Sequence, residues 1–116
     1  MKKVDRNNFK QEIFQEDEKV ILYIWADDCE YCRMMRPYIE EVEEKYEDRY
    51  KFCKLNTAKD DGNVIAAIYG VYTTPTTLLM DCGDVLGRAT GMMMPVELIK
   101  ALGLPSEEEE EAPAEE

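Results

Sequence analysis

Two cysteines, Cys29 and Cys32, stand two residues apart in "WADDCEYCRMM", the stretch from Trp25 to Met35. Such a pair can hold a metal with further ligands, staple a loop, or open and close as a redox couple. Zinc asks for about four nitrogen or sulfur ligands, usually from a second nearby pair. This chain has no histidine, and its other cysteines, Cys53 and Cys82, are isolated from each other and from the pair. A permanent staple across so short a loop constrains little of the unfolded chain's entropy. A redox pair therefore ranks first among the three.

Disulfide exchange needs a thiolate, and a thiolate needs a favourable field. The flanking residues supply one. "VILYIWA", Val20–Ala26, is rich in β-branched and aromatic residues and reads as a strand buried on both faces. From about Tyr31 to Glu47 the apolar residues Tyr31, Met34, Met35, Tyr38, Ile39, Val42 and Tyr46 recur at helical spacing. Pro37 lies inside that pattern and is expected to bend the helix at the loss of one backbone hydrogen bond. Cys29 thus falls where a strand gives way to a helix, and Cys32 in the first helical turn. The unpaired N–H groups there carry a partial positive charge and lower a thiol's pKa from about 8.5. Sulfurs at i and i+3 can also reach each other, so one can attack and the other resolve. The position at the helix start favours Cys29 as attacker, with Cys32 covered by its own helix. Asp27, Asp28 and Glu30 oppose the thiolate, and the helix terminus and Arg33 offset them in part.

Other segments must hold this junction in place. "NNFKQEIFQ" reads as a short amphipathic helix on Phe9, Ile13 and Phe14, capped by Asn7 or Asp5, with a brief strand before it near Lys3–Val4. "KFCKLN", 51–56, reads as a second central strand. "DDGNVIAAIYG" reads as a helix with an acidic start and Gly70 as its stop. "TTLLM" and "VLGRAT" flank "DCGD" as a hairpin with Gly83 in its turn. "PVELIKALG" closes the fold as a helix from Pro95 to Gly103, with Val96, Ile99 and Leu102 on its buried side. The order βαβαβαββα predicts an α/β domain: a mixed central sheet with helices on both faces, one antiparallel edge, and a C-terminal hairpin and helix.

The chain has 116 residues, enough for one domain over residues 1–104. The last eleven residues, "SEEEEEAPAEE", hold seven glutamates and no cation. That predicts a disordered acidic tail over 105–116. The rest keeps 19 acidic against 14 basic residues, net −5, within a total of −12. This charge disfavours nucleic acid and anionic membranes as partners. No apolar run approaches the roughly 20 residues that span a bilayer. The polar start "MKKVDRNNFK" lacks the apolar core of a secretory signal, so the cytoplasm is expected. Cys53 reads as a small buried hydrophobe and Cys82 as an exposed, inert thiol. No dinucleotide fingerprint is present, so no NADPH or flavin site, and no other cofactor, is expected.

Three of these motifs, in this order, resemble the thioredoxin family. "WADDCEYCRMMRP" is similar to its active-site segment, with Trp-Ala before the cysteines and a proline five residues after the second. "YGVYTTPTTLL" is similar to the stretch that carries its cis-proline, and "GDVLGRATG" to its last hairpin. The resemblance spans about residues 3–103. It implies the thioredoxin fold and a protein-disulfide reductase that acts by dithiol–disulfide exchange, in electron transfer and cellular redox homeostasis. It implies a cis Thr74–Pro75 bond beside the sulfurs, with Thr74 able to pair with a bound peptide. It also implies Trp25 packed beside the cysteines, Gly91 near the end of the hairpin, and Lys54 in the place of the family's lysine. Disulfide-containing proteins as substrates, a thioredoxin reductase or other thiol as electron donor, and a monomer follow from it.

Departures from the family pattern stand beside these matches. Tyr23 occupies the place of the family's buried aspartate, which Lys54 would otherwise partner. Glu30 and Tyr31 replace the usual Gly-Pro, and Tyr31 leans towards glutaredoxins. Asp28 stands where an aromatic is usual, and Thr73 where a glycine is common. A glutaredoxin-like or oxidase/isomerase role, and a non-catalytic binding module on the same fold, are the competing expectations.

Overall fold

The computed structural model describes residues 1–14 and 17–106. The expected tail, beyond Ser106, lies outside the described residues. Nine elements follow in the expected order: β1 (Lys2–Val4), α1 (Phe9–Ile13), β2 (Lys19–Trp25), α2 (Glu30–Tyr46), β3 (Lys51–Asn56), α3 (Gly62–Ile68), β4 (Thr76–Asp81), β5 (Asp84–Thr90) and α4 (Pro95–Leu102). The strands form one sheet in the order β1-β3-β2-β4-β5. β1, β3 and β2 run parallel, while β4 is antiparallel to β2 and β5 to β4. The antiparallel edge is the β4–β5 hairpin that the sequence predicted.

β2 is the middle strand, and its pleat explains why it is apolar throughout. Val20, Leu22 and Ile24 face a core built with Phe9 and Ile13 of α1 and Ile65 and Ala66 of α3. Ile21 and Tyr23 face the other core, built with Met35, Ile39, Val42 and Tyr46 of α2 and Leu98 and Leu102 of α4. Alternate residues thus point to opposite faces, and both faces are covered. Helices on both faces are what the strand-helix alternation predicted.

The stops follow their chemistry. Gly70, at φ +72°, ends α3: its N–H donates to the Ala67 carbonyl and the Val71 N–H to the Ala66 carbonyl. These two bonds satisfy carbonyls that a helix end leaves unpaired. Cys82 and Gly83 both have positive φ, 52° and 91°, in the two-residue turn between β4 and β5. That backbone matches the twist of the flanking strands. α2 runs unbroken through Pro37.

Three local expectations are corrected. Val96 is exposed, and α4 buries Pro95, Leu98 and Leu102 instead, with Ile99 half-buried. With apolar residues at 95, 96, 98, 99 and 102, two faces fit helical spacing, and the seat on β5 selects one. On α2, Tyr31 and Met34 are likewise exposed, because the buried stripe runs through Cys32, Met35, Ile39, Val42 and Tyr46. The N-cap of α1 is Asn8. Its Oδ1 accepts from the Asp5 N–H, and the Asp5 carboxylate accepts from the Asn7 N–H, so these side chains tie the approach to the helix and not its first turn.

Candidate active site

β2 ends at Trp25, and a turn closed by the Cys29 N–H donating to the Ala26 carbonyl leads into α2. Cys29 is the N-cap of that helix, with extended backbone at φ −102° and ψ 109°. The Cys32 N–H donates to Cys29 Sγ at 3.1 Å. An ordinary N-cap side chain presents an oxygen to this N–H; here a sulfur takes its place. A thiolate at that atom accepts the same bond and meets the positive end of the 17-residue helix. The two sulfurs are joined as a disulfide, with Cα atoms 5.2 Å apart, inside the ordinary range for such a bridge. Cys29 is half-buried and Cys32 only 4% exposed, so Cys29 is the more accessible sulfur of the pair.

The acidic neighbours are partly neutralised. Asp27 lies 3.6 Å from the Lys59 ammonium, and Glu30 pairs with Arg33 at 2.7 Å. Exposed pairs of this kind contribute about 0.2–1 kcal/mol each, but they also blunt the charge facing the sulfur. Asp28 is exposed and makes no ion pair among the described residues.

The second wall comes from the loop before β4. Because β4 is antiparallel to β2, its beginning lies beside the end of β2. The Thr74–Pro75 bond is cis, as the resemblance implied. The Thr74 carbonyl stands 3.5 Å from Cys29 Sγ. The Gly91 N–H donates to the Pro75 carbonyl at 2.8 Å, with Gly91 at φ +90°, a conformation that glycine adopts without strain. Thr76 Oγ1 donates to the Thr73 carbonyl and fixes the loop from within. Thr73 itself is exposed and shares a groove of about 350 Å³ with Thr57, Val71, Tyr72 and Thr74.

Behind the pair lies a cleft of about 240 Å³ lined by Tyr23, Trp25, Cys29, Cys32, Glu40 and Lys54, among others. Tyr23 and Lys54 face each other in the β2–β3 register. The Tyr23 hydroxyl donates to the Cys32 carbonyl at 3.1 Å. Burial pushes that phenol up to about 12, so it is neutral at ordinary pH and holds the helix turn without taking a proton. Lys54 is half-buried and has no ion pair among the described residues. The Trp25 carbonyl accepts from both the Thr57 N–H and its hydroxyl, while the indole Nε1 is buried without a partner among the described residues.

The structure thus gathers the seven residues singled out from the sequence around one sulfur. Cys29, Cys32, Trp25 and Lys54 line the cleft; Thr74, Pro75 and Gly91 form the opposite wall. Cys53 is fully buried in mid-strand, where burial raises its thiol to about 11. Cys82 is exposed in the hairpin turn. Sequence reasoning missed the Tyr23 hydroxyl bond and the Thr57 clasp on Trp25. Tyr23 stood out only as a missing acid, and nothing in its spacing shows where a phenol nine residues from Cys32 will donate.

A capped, paired cysteine on a helix start, facing a cis-proline edge, defines a thiol–disulfide oxidoreductase. Comparison with known proteins agrees: the thioredoxin family profile matches residues 1–103. A thioredoxin of Pyropia yezoensis is 37% identical over 84 residues, covering 72% of this chain and 77% of its own. Thioredoxin 1 of a Nostoc species is 31% identical over 99 residues, covering 85% and 91%. A chloroplastic thioredoxin of Oryza sativa is 35% identical over 80 residues, covering 69% of this chain and 45% of its own. The chain belongs to the thioredoxin family, and it is a protein-disulfide reductase.

Proposed function

We propose that Cys29 is the attacking sulfur and Cys32 the resolving one. The Cys29 thiolate attacks one sulfur of a substrate disulfide; a mixed disulfide forms and the first substrate thiolate leaves. Cys32 then gives up its proton, attacks Cys29 Sγ and expels the second substrate thiolate. Two electrons pass to the substrate and the Cys29–Cys32 disulfide remains. The observation that carries this reading is the Cys32 N–H donating to Cys29 Sγ at the start of α2.

Thr74 and Pro75 hold the substrate chain as an added strand. The Thr74 carbonyl faces Cys29, and no hydrogen bond engages the Thr74 N–H among the described residues. Gly91 fixes the Pro75 carbonyl, and Trp25 walls the pair. Lys54 supplies positive charge to the cleft that Cys32 lines and favours loss of its proton, while Tyr23 orients the turn.

The substrates are disulfide-containing proteins, and the dithiol is restored by a thioredoxin reductase or another thiol donor. The chain works as a monomer in the cytoplasm, where Cys53 and Cys82 stay as free thiols. Residues 1–104 form the reductase domain, and 105–116 an acidic appendage.

Insulin reduction with a thioredoxin reductase and NADPH tests the assignment. Wild type is expected to turn over, Cys29→Ser to show only the uncatalysed rate, and Cys32→Ser to accumulate a covalent adduct with its substrate. Full turnover by Cys29→Ser overturns it.

A further inference from the structure

Resolution by Cys32 takes a proton from a side chain that is only 4% exposed. Its way out is the cleft of about 240 Å³ that it lines together with Cys29. Tyr23 does not take that proton: its phenol donates to the Cys32 carbonyl, and burial pushes it up to about 12. The Lys54 ammonium on the same cleft has no lone pair to offer. Two carboxylates remain on the lining among the described residues, Asp27 and Glu40.

The two are not equivalent. Glu40 lies eight residues past Cys32 on α2, about 12 Å along the helix axis, and accepts from Arg36 Nε at 3.2 Å. Asp27 sits in the turn between the end of β2 and Cys29, next to Ala26, whose carbonyl accepts the Cys29 N–H at 3.3 Å. That bond, with the two that Thr57 donates to the Trp25 carbonyl, holds the turn. Lys59 stands 3.6 Å from Asp27 Oδ2, and Oδ1 accepts no hydrogen bond among the described residues.

We propose that Asp27 takes the proton of Cys32, through water in the cleft, when the mixed disulfide is resolved. The proposal rests on Cys32 as the resolver and deepens that reading by naming where its proton goes. The Cys32 proton passes to a cleft water as that water gives one to Asp27. The Cys32 thiolate attacks Cys29 Sγ, the new S–S bond forms, the bond from Cys29 to the substrate breaks, and the substrate sulfur leaves with the electron pair. Asp27 returns the proton to that thiolate or to solvent. A polar cleft of this size has room for the bridging water.

The sign of the effect separates this role from a simple field. A carboxylate near a sulfur disfavours its thiolate, so an Asp27 that acted through its charge alone would, once neutralised, speed both attack and resolution. A proton acceptor, once removed, slows resolution alone. The other charges on the cleft stay in place: Lys54 from β3, and Arg33, Arg36 and Glu40 from α2. The Met1 ammonium, also at the cleft, is held by Glu43 at 2.9 Å.

The test uses the full chain carrying Cys82→Ser, reduced and mixed with dithiodipyridine, a neutral disulfide whose two released thiols are read by absorbance. The first release reports attack by Cys29; the second, independent of reagent concentration, reports resolution by Cys32. Asp27→Asn is expected to slow the second phase about tenfold near pH 7, less than the loss of a base in direct contact. The first phase should be unchanged or faster. The deficit should close towards about pH 10, where a thiol ionises unaided, and added imidazole should restore part of it near neutrality. Unchanged or faster resolution in Asp27→Asn, a deficit of one size at every pH, or a pH-dependent deficit in Glu40→Gln and not in Asp27→Asn overturns the proposal. If the second phase of the chain with Asp27 intact scales with reagent concentration, Cys32 is not the resolver; that reading fails first, and this proposal with it.

Discussion

Cys29 and Cys82 each sit just past the end of a strand, at opposite ends of the same sheet. Beyond Trp25 the chain enters a 17-residue helix whose N–H reaches Cys29 Sγ, and a second sulfur stands across the turn. Beyond Asp81 the chain makes a two-residue turn, and Cys82 Sγ, 3.8 Å from the Phe14 carbonyl, meets an acceptor and no second sulfur. Cys82 is the more exposed of the two. On the proposed assignment, exposure alone does not make the nucleophile; the donor groups at a helix start and a resolving partner do. Cys53 is a third case, with neither solvent nor field in its favour.

Removing each sulfur in turn breaks the contrast most directly. Cys29→Ser should lower insulin reduction to background, whereas Cys82→Ser should leave kcat/KM within about twofold, as expected of a surface change away from the site. A large loss in Cys82→Ser would mean that the hairpin turn takes part after all.

The next effect sharpens the third case. Cys53 moves from an ordinary 9.0 to about 11 and Tyr23 from 10.0 to about 12, both through burial. Between those values the folded chain holds protons that the unfolded chain has lost. Stability is thus highest below pH 9 and falls as pH rises towards 12, on the order of 2 kcal/mol for each group by the top of its window. Urea unfolding of the disulfide form, compared at about pH 8 and about pH 10.5, measures it, and Cys53→Ala should remove the Cys53 share and leave the smaller Tyr23 share. A flat profile in wild type would show that Cys53 is accessible.

Gly87→Ala acts on the hairpin alone. A Cβ there would stand 2.8 Å from the Leu102 carbonyl, where α4 rests on β5. A loss of about 1–3 kcal/mol in urea unfolding is expected, with the alkylation rate of reduced Cys29 unchanged. The smallest effect belongs to Tyr23→Phe. Losing the bond to the Cys32 carbonyl should cost about 1 kcal/mol, and the pH profile of insulin reduction should keep its shape, because the phenol stays neutral. A shifted profile would make Tyr23 a proton carrier.

Much of this was legible because the periodicities were strong. β3 ends where "KFCKLN" ends, and the hairpin turn carries the glycine its backbone needs. Where two readings had equal periodicity, the sequence could not choose. Val96 and Pro95 both fit an apolar face of α4, and only its packing on β5 separates them. Asp61 reads as a helix start, yet its side chain pairs with Arg6 and caps nothing. The site divides the same way. The Cys29–Cys32 relation is local, so spacing reveals it. The Tyr23 bond, the Thr57 clasp and the position of Lys54 depend on strand register, which a linear pattern leaves open. Thr74 and Pro75 were reached through family likeness alone.

The distance along the chain between the two walls has a consequence of its own. Cys29 and Cys32 are neighbours from the moment they are synthesised, while Thr74 reaches Cys29 only across 45 residues and a completed β2–β4 pairing. An unfinished chain already carries its two sulfurs side by side, while the loop that walls the site opposite them arrives only when the sheet is whole.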